Sequence, residues 1–185
     1  MAERSDAELL RRTCEGDADA FAELVARHTA RVYRFARTAV ADPDDAEDVT
    51  QETFIEAFRY ARRFGGTGSA IPWLLGIAAN RCRTLRRWLR RRPQSLETLM
   101  EGEWPATDPT AGNETPDAEA HLDIRRAVAD LPASYRVPVI MRYQEGLSYA
   151  EIAEALGVEP NAASMRVHRA KNMLRKRLRH LWSPE

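Results

Sequence analysis

Apolar residues recur along this chain at intervals of three and four, the spacing of one helix face. Phe21, Leu24, Val25, His28, Val32, Ala36 and Ala39 form one such stripe, and Asp17 stands where a side chain can cap its start. A stronger start signal follows, with Asp42 as cap, Pro43 at the first helical position and Asp44, Asp45 and Glu47 against the positive helix end. The pattern predicts a helix from there to about Phe64, where Gly65, Gly66 and Gly68 break it. Ser69 can then cap a third helix through Trp73, Leu74, Ile77 and Leu85.

From Pro93 to Pro116 the period is lost. Pro93, Pro105, Pro109, Pro116, Gly102 and Gly112 oppose a long helix, and acids and small polar residues fill the intervals. The stretch reads as a solvated linker, with Leu96, Leu99, Met100 and Trp104 available to dock. Helical spacing returns over about 119–130, 133–144, 148–156 and 160–181, and no strand pattern of useful length occurs. The predicted fold is all-α: two small helical domains, 1–92 and 118–185, joined by a flexible acidic linker, 93–117.

A chain of 185 residues suffices for two such domains. No apolar run approaches the roughly 18 residues of a membrane span, and the opening MAERSDAELL is too polar for a signal peptide, so a cytoplasmic protein is expected. Cys14 and Cys82 have no metal-ligand spacing around them and are expected as reduced thiols. Neither a metal nor a cofactor is expected.

Charge changes the picture. The net charge is zero, yet residues 1–58 carry 7 Arg against 14 acids and residues 59–93 carry 10 Arg and no acid. Residues 94–120 carry 7 acids and no base, and residues 121–185 carry 11 bases against 7 acids. Blocks of this kind suit separate surfaces for separate partners, with the basic ones suited to phosphates.

Near the C-terminus, Ser148 and Glu151 form a capping box before an apolar face of Ile152, Ala153 and Leu156. Gly157 can end that helix in a left-handed conformation, and Pro160 opens the next. Helix, short turn and helix make a helix-turn-helix. In the second helix Ala163, Val167, Ala170, Leu174, Leu178 and Leu181 form the core stripe. Outside that stripe lie Asn161, Ser164, Met165, His168, Arg169, Lys171 and Asn172, and from Asn161 to His180 there are seven Lys or Arg and no acid. Polar side chains for base edges followed by cations for phosphates make this a DNA-recognition helix.

On the Pro43 helix, Ala46, Val49, Thr50, Thr53, Ala57 and Ala61 share the core face, while Asp44, Asp48, Gln51 and Glu52 share the opposite one with Ile55 among them. An apolar centre in a charged rim is the make-up of a protein-binding surface, although single exposed apolar residues are also common. In the third helix Asn80 precedes Arg81, Arg83, Arg86, Arg87, Arg90, Arg91 and Arg92, with Trp88 among them. An amide able to read a base edge, arginines and an aromatic together suit nucleic acid.

These residues resemble a family. The segment from Asp45 to Phe54 is similar to the polymerase-binding segment of the extracytoplasmic-function (ECF) sigma factors. Trp73-Leu74 and Ile77 to Arg81 resemble their helix for the downstream (−10) promoter element. Asp130-Leu131-Pro132, Leu147 to Ala153 and Arg166 to Ala170 resemble their domain for the upstream (−35) element. The resemblance implies sigma domains 2 and 4 without a middle domain, and an alternative sigma factor that directs RNA polymerase to promoters and assists melting. It implies that Asp48, Gln51 and Glu52 face core polymerase, and Ile55, placed among them, is expected to join that surface. It further implies that Asn80, with the Gly65–Ser69 loop, captures an extruded base of promoter DNA beside Arg81, Arg83, Arg86 and Arg87. It also implies an anti-sigma partner. Thr84, Ala162, Ser164 and the glycine-rich loop depart from frequent family residues and bear on which promoter is read.

Two other readings remain at this point. A helix-turn-helix regulator that does not act as a sigma subunit would use the same C-terminal helices, but leaves the acidic helix and its arginine-rich neighbour unexplained. A nuclease would need Asp44, Asp45, Glu47 and Asp48 to hold a metal, whereas these acids follow a helix-start pattern.

Overall fold

A computed structural model describes residues 4–40, 42–66, 68–89 and 116–179, and among these every regular element is helical. The expected linker over 93–117 falls outside the described residues up to residue 115. The elements are α1 (Asp6–Cys14), α2 (Ala18–Ala39), α3 (Pro43–Arg59), a 3₁₀ turn (Ala61–Arg63), α4 (Ile71–Leu89), α5 (Pro116–Ala129), α6 (Ala133–Tyr143), α7 (Tyr149–Leu156) and α8 (Pro160–Arg177).

Local chemistry sets most starts. The Ser5 side chain accepts from Glu8 N–H, Asp17 accepts from Ala20 N–H, and Asp42 accepts from the N–H groups of Asp44 and Asp45. Each satisfies donors that the helix itself leaves orphaned. The helix expected to run to Phe64 stops at Arg59 instead, and the chain tightens into the 3₁₀ turn before the glycines. Helix α1 had no counterpart in the sequence reading.

The four N-terminal helices bury Leu9, Leu10, Leu24, Val32, Phe35, Val49, Leu74 and Leu75. On α3 the Thr50 and Thr53 hydroxyls donate to the carbonyls of Ala46 (2.7 Å) and Val49 (2.6 Å), so both threonines face the core without an unsatisfied hydroxyl. In the C-terminal helices Leu131, Val139, Val167 and Ala170 form a smaller cluster.

The two groups of helices do not stand apart. Ile140, Met141, Leu147, Ile152, Ala153 and Ala163 join the N-terminal core. Helix α7 packs on α4, and a Cβ placed on Gly76 would come 2.5 Å from the Ala155 carbonyl oxygen. A helix-interior glycine costs about 0.5–1 kcal/mol relative to alanine, and here it admits a neighbouring backbone. Arg31 of α2 reaches Glu145 twice, from Nε to the carboxylate (2.6 Å) and from Nη2 to the carbonyl (2.7 Å). The Glu145 side chain has 0% exposure. Buried Arg136 on α6 donates to the carbonyls of Ala39 (2.8 Å), Leu131 (3.0 Å) and Ala129.

Candidate polymerase and nucleic-acid surfaces

The acidic side of α3 faces outward. Asp48, Gln51 and Glu52 are exposed, and Ile55 is 44% exposed beside them. Phe58, three residues past Ile55 on the same stripe, is 54% exposed and meets Phe21 edge-on at 5.1 Å. Ile55, beside Asp48 and Glu52, is therefore not a lone exposed apolar side chain on this face. Phe58 escaped the sequence reading, although its distance of seven residues from Gln51 marks the same face. Burial among Asp42, Asp48 and Asp44 pushes the Asp45 carboxyl up, burial being the larger cause.

The entry to α4 is fastened from outside the helix. Ile71 N–H donates to the Ser69 hydroxyl (3.2 Å), as the capping pattern predicts. Buried Asp6 of α1 then accepts from Ala70 N–H (2.8 Å), from Arg27 Nη1 (2.8 Å) and from the Ser69 hydroxyl (3.4 Å), and pairs with His28 Nε2 (2.8 Å). Burial pushes the Asp6 carboxyl up, but the Ala70 N–H, His28 and Arg27 outweigh it and hold it below the usual carboxylate range. Nothing in the local sequence marks this residue.

Further along α4, Asn80, Arg83 and Arg87 are exposed, and the Asn80 amide oxygen accepts from Arg83 Nη2 (2.6 Å). Arg81 turns the other way and pairs with Glu56 (2.6 Å) and Glu52 (3.3 Å) of α3. The Arg86 side chain and residues 90–92 lie outside what is described. Asn80 and Arg83 line a groove of about 960 Å³ with Trp73 and Ile77 of the same helix, Arg63, and Arg166 of α8. Gly65 and Gly66 line a different hollow of about 410 Å³ with Leu10, Cys14, Arg62 and Phe64. Gly65 and Gly66, expected to act with Asn80, thus open onto a different cavity from it, with the Phe64–Trp73 ring contact (5.5 Å) beside them.

In the C-terminal pair the capping box is complete. Glu151 N–H donates to Ser148 Oγ (3.2 Å), and Ser148 N–H donates to the Glu151 carboxylate (2.8 Å). The Ser148 hydroxyl and N–H together hold the Glu151 carboxyl below its ordinary value. Gly157 ends α7 at φ +61°, a left-handed conformation that side-chain-bearing residues rarely adopt, and Pro160 opens α8. On α8, Ala163, Val167 and Ala170 are buried. Asn161, Met165, His168, Arg169 and Lys171 are exposed, and Ser164 is half-buried. The predicted reading face is therefore the free face.

Known families match both halves. Residues 24–92 match Sigma-70 region 2, and residues 121–174 match Sigma-70 region 4. The chain is 34% identical to the ECF RNA polymerase sigma factor SigM of Mycobacterium tuberculosis, covering 97% of this chain and 87% of SigM. The chain belongs to the ECF sigma factors. It is an alternative sigma factor, which directs bacterial RNA polymerase to promoters in transcription initiation.

Other relatives agree. The sigma factor is 34% identical to CarQ of Myxococcus xanthus, over 90% of this chain and 94% of CarQ. It is 37% identical to SigE of Mycolicibacterium smegmatis over 83% of this chain, but spans only 59% of SigE. Among solved structures, CnrH in complex with the cytosolic domain of CnrY is similar with a TM-score of 0.69 and 25% identity, over 97% of the sigma factor and 100% of CnrH. The sigma factor RpoE of Bartonella quintana, solved with the anti-sigma factor NepR, shares the fold with a TM-score of 0.70 over 86% of this chain and 96% of RpoE. Among the described residues, no helix is long and apolar enough to cross a membrane.

Proposed function

We propose that the sigma factor engages core polymerase through Asp48, Gln51, Glu52 and Ile55, with Phe58 extending the apolar centre. Asn80, Arg83, Arg86 and Arg87, with Arg81, serve the −10 element and hold the extruded base and its strand. Asn161, Ser164, Met165, His168, Arg169 and Lys171 serve the −35 element. Residues 1–92 and 118–185 act as the two working units, joined by 93–117. The protein works by binding rather than by catalysis, in the cytoplasm where polymerase and chromosome meet. An anti-sigma factor is a further partner, by analogy with the complexes of CnrH and RpoE.

One observation carries this reading: an acidic, apolar-centred face on α3 and two cation-rich faces, on α4 and α8, occur on one chain. A repressor needs only the last of these. The two DNA elements also set a requirement. Their names place them about 25 base pairs apart, about 85 Å of duplex at 3.4 Å per pair, whereas α4 and α7 touch. The helices of the two units therefore separate when both elements are bound.

Transcription from a genomic fragment library with core polymerase tests the reading. Discrete start sites that require the sigma factor support it. Duplex binding without any start site would favour a regulator that is not a sigma subunit.

A further inference from the structure

We propose that Glu56 and Glu52 hold Arg81 in reserve, and that a cation docking on Glu52 releases Arg81 to a nucleic-acid phosphate. The proposal rests on the roles given above to α3 and α4. It assigns a positioning role to Glu56, which the sequence reading left without one, and a second role to Glu52.

Glu52 and Glu56 stand one turn apart on α3, where like charges repel unless a cation lies between them. Arg81 of α4 fills that place, with Nη2 2.6 Å from Glu56 and 3.3 Å from Glu52. The two acids are not equivalent. Glu56 is 21% exposed and lies closer to the guanidinium, whereas Glu52 is 48% exposed on the face offered to polymerase. Glu56 also lines the groove that holds Asn80 and Arg83, so its negative charge opposes any phosphate entering there. The arrangement is not fully satisfied, because Arg81 Nε is buried and makes no hydrogen bond among the described residues. A buried donor left unpaired weakens the hold on the paired geometry.

Three side chains thus belong to two surfaces at once. When a partner's cation neutralises Glu52, Arg81 keeps only Glu56, and a phosphate can compete for its planar donors with charge-assisted bonds. The coupling runs both ways: a phosphate that draws Arg81 off leaves Glu52 freer for the partner, by the same factor. Because these pairs are partly solvated, the factor is small, about two- to fivefold. Polymerase binding and contact with the promoter strand then reinforce each other through Arg81.

The test uses the full chain and a fluorescein-labelled oligothymidylate titrated at several salt concentrations. Glu56→Gln should tighten binding about two- to fivefold, and the salt slope should steepen by about 0.7 for the phosphate gained. Glu52→Gln should act in the same direction and serves if Glu56→Gln does not fold. In an Arg81→Gln background neither substitution should have an effect. Equal tightening with and without Arg81 would mean that the acids act only through the general field, and the proposal is wrong. It is also wrong if both single variants bind like the wild type while Arg87→Gln weakens binding. If Arg83→Gln and Arg87→Gln change nothing, the nucleic-acid role of α4 fails first, and the proposal falls with it.

Discussion

Asn80 offers an amide to a groove walled by Trp73 and Arg63, but its oxygen is already bonded to Arg83. A base that uses both the oxygen and the N–H₂ of the amide must displace that arginine or share the oxygen with it. Asn80→Ala should therefore remove about 1–3 kcal/mol of base discrimination. Closed duplex binding, which depends on α8, should change little. Permanganate footprinting of promoter melting beside a gel-shift titration checks this. Asp6 acts at the same scale through the backbone. Its carboxyl lies below its unfolded value, so its contribution to stability is present above that value, about pH 4, and is lost as pH falls through the lower folded value. Denaturant unfolding of Asp6→Asn should show a stability deficit at about pH 5. The deficit should shrink as the wild-type carboxyl protonates.

At the scale of elements, much was legible because helix starts and faces are local chemistry. Asp17, Asp42, Ser69 and the Ser148–Glu151 box each cap within three residues of themselves. The buried stripes of α2, α3 and α8 follow the 3.6-residue period closely enough to be counted from the sequence. Helix α1 carried a local signal that was passed over, since Ser5 and Glu8 stand at capping-box spacing and Ser5 caps its start. The early end of α3 was not legible, because it is decided by the turn beyond it. Helix α8 carries its own prediction. Lys171 is exposed past the buried stripe, so Lys171→Ala should weaken binding of every duplex alike and reduce the salt slope by about 0.9. Asn161→Ala should alter preference among sequences and leave the slope unchanged. Fluorescence anisotropy across a salt series and a small duplex panel reads both.

The whole molecule is where sequence reading stopped. Asp6 meets Ala70 across 64 residues and Arg31 meets Glu145 across 114, and no local pattern encodes a pairing at that distance. The candidate surfaces show the same limit. Each residue set was recognisable, but the turn of Arg81 toward Glu56 depends on how α3 and α4 pack, and Gly65 and Gly66 open onto a hollow that α1 helps to line, away from Asn80. Gly76 is the most direct probe of the packing between the two helix groups. Alanine there gains helix propensity but drives a Cβ into the Ala155 carbonyl, a backbone atom that cannot swing aside. Overpacking wins, and Gly76→Ala should cost about 1–3 kcal/mol, read by urea unfolding, with an increased radius in small-angle scattering.

That the acidic face of α3 is the polymerase surface is tested most directly by the affinity of Glu52→Arg for core polymerase. Glu52 is exposed, so its substitution leaves the buried stripe of α3 untouched. Charge reversal within a protein interface is expected to weaken the complex by about tenfold or more, with the circular dichroism spectrum unchanged. A variant that is equally helical and binds core polymerase as tightly as the wild type would contradict the assignment.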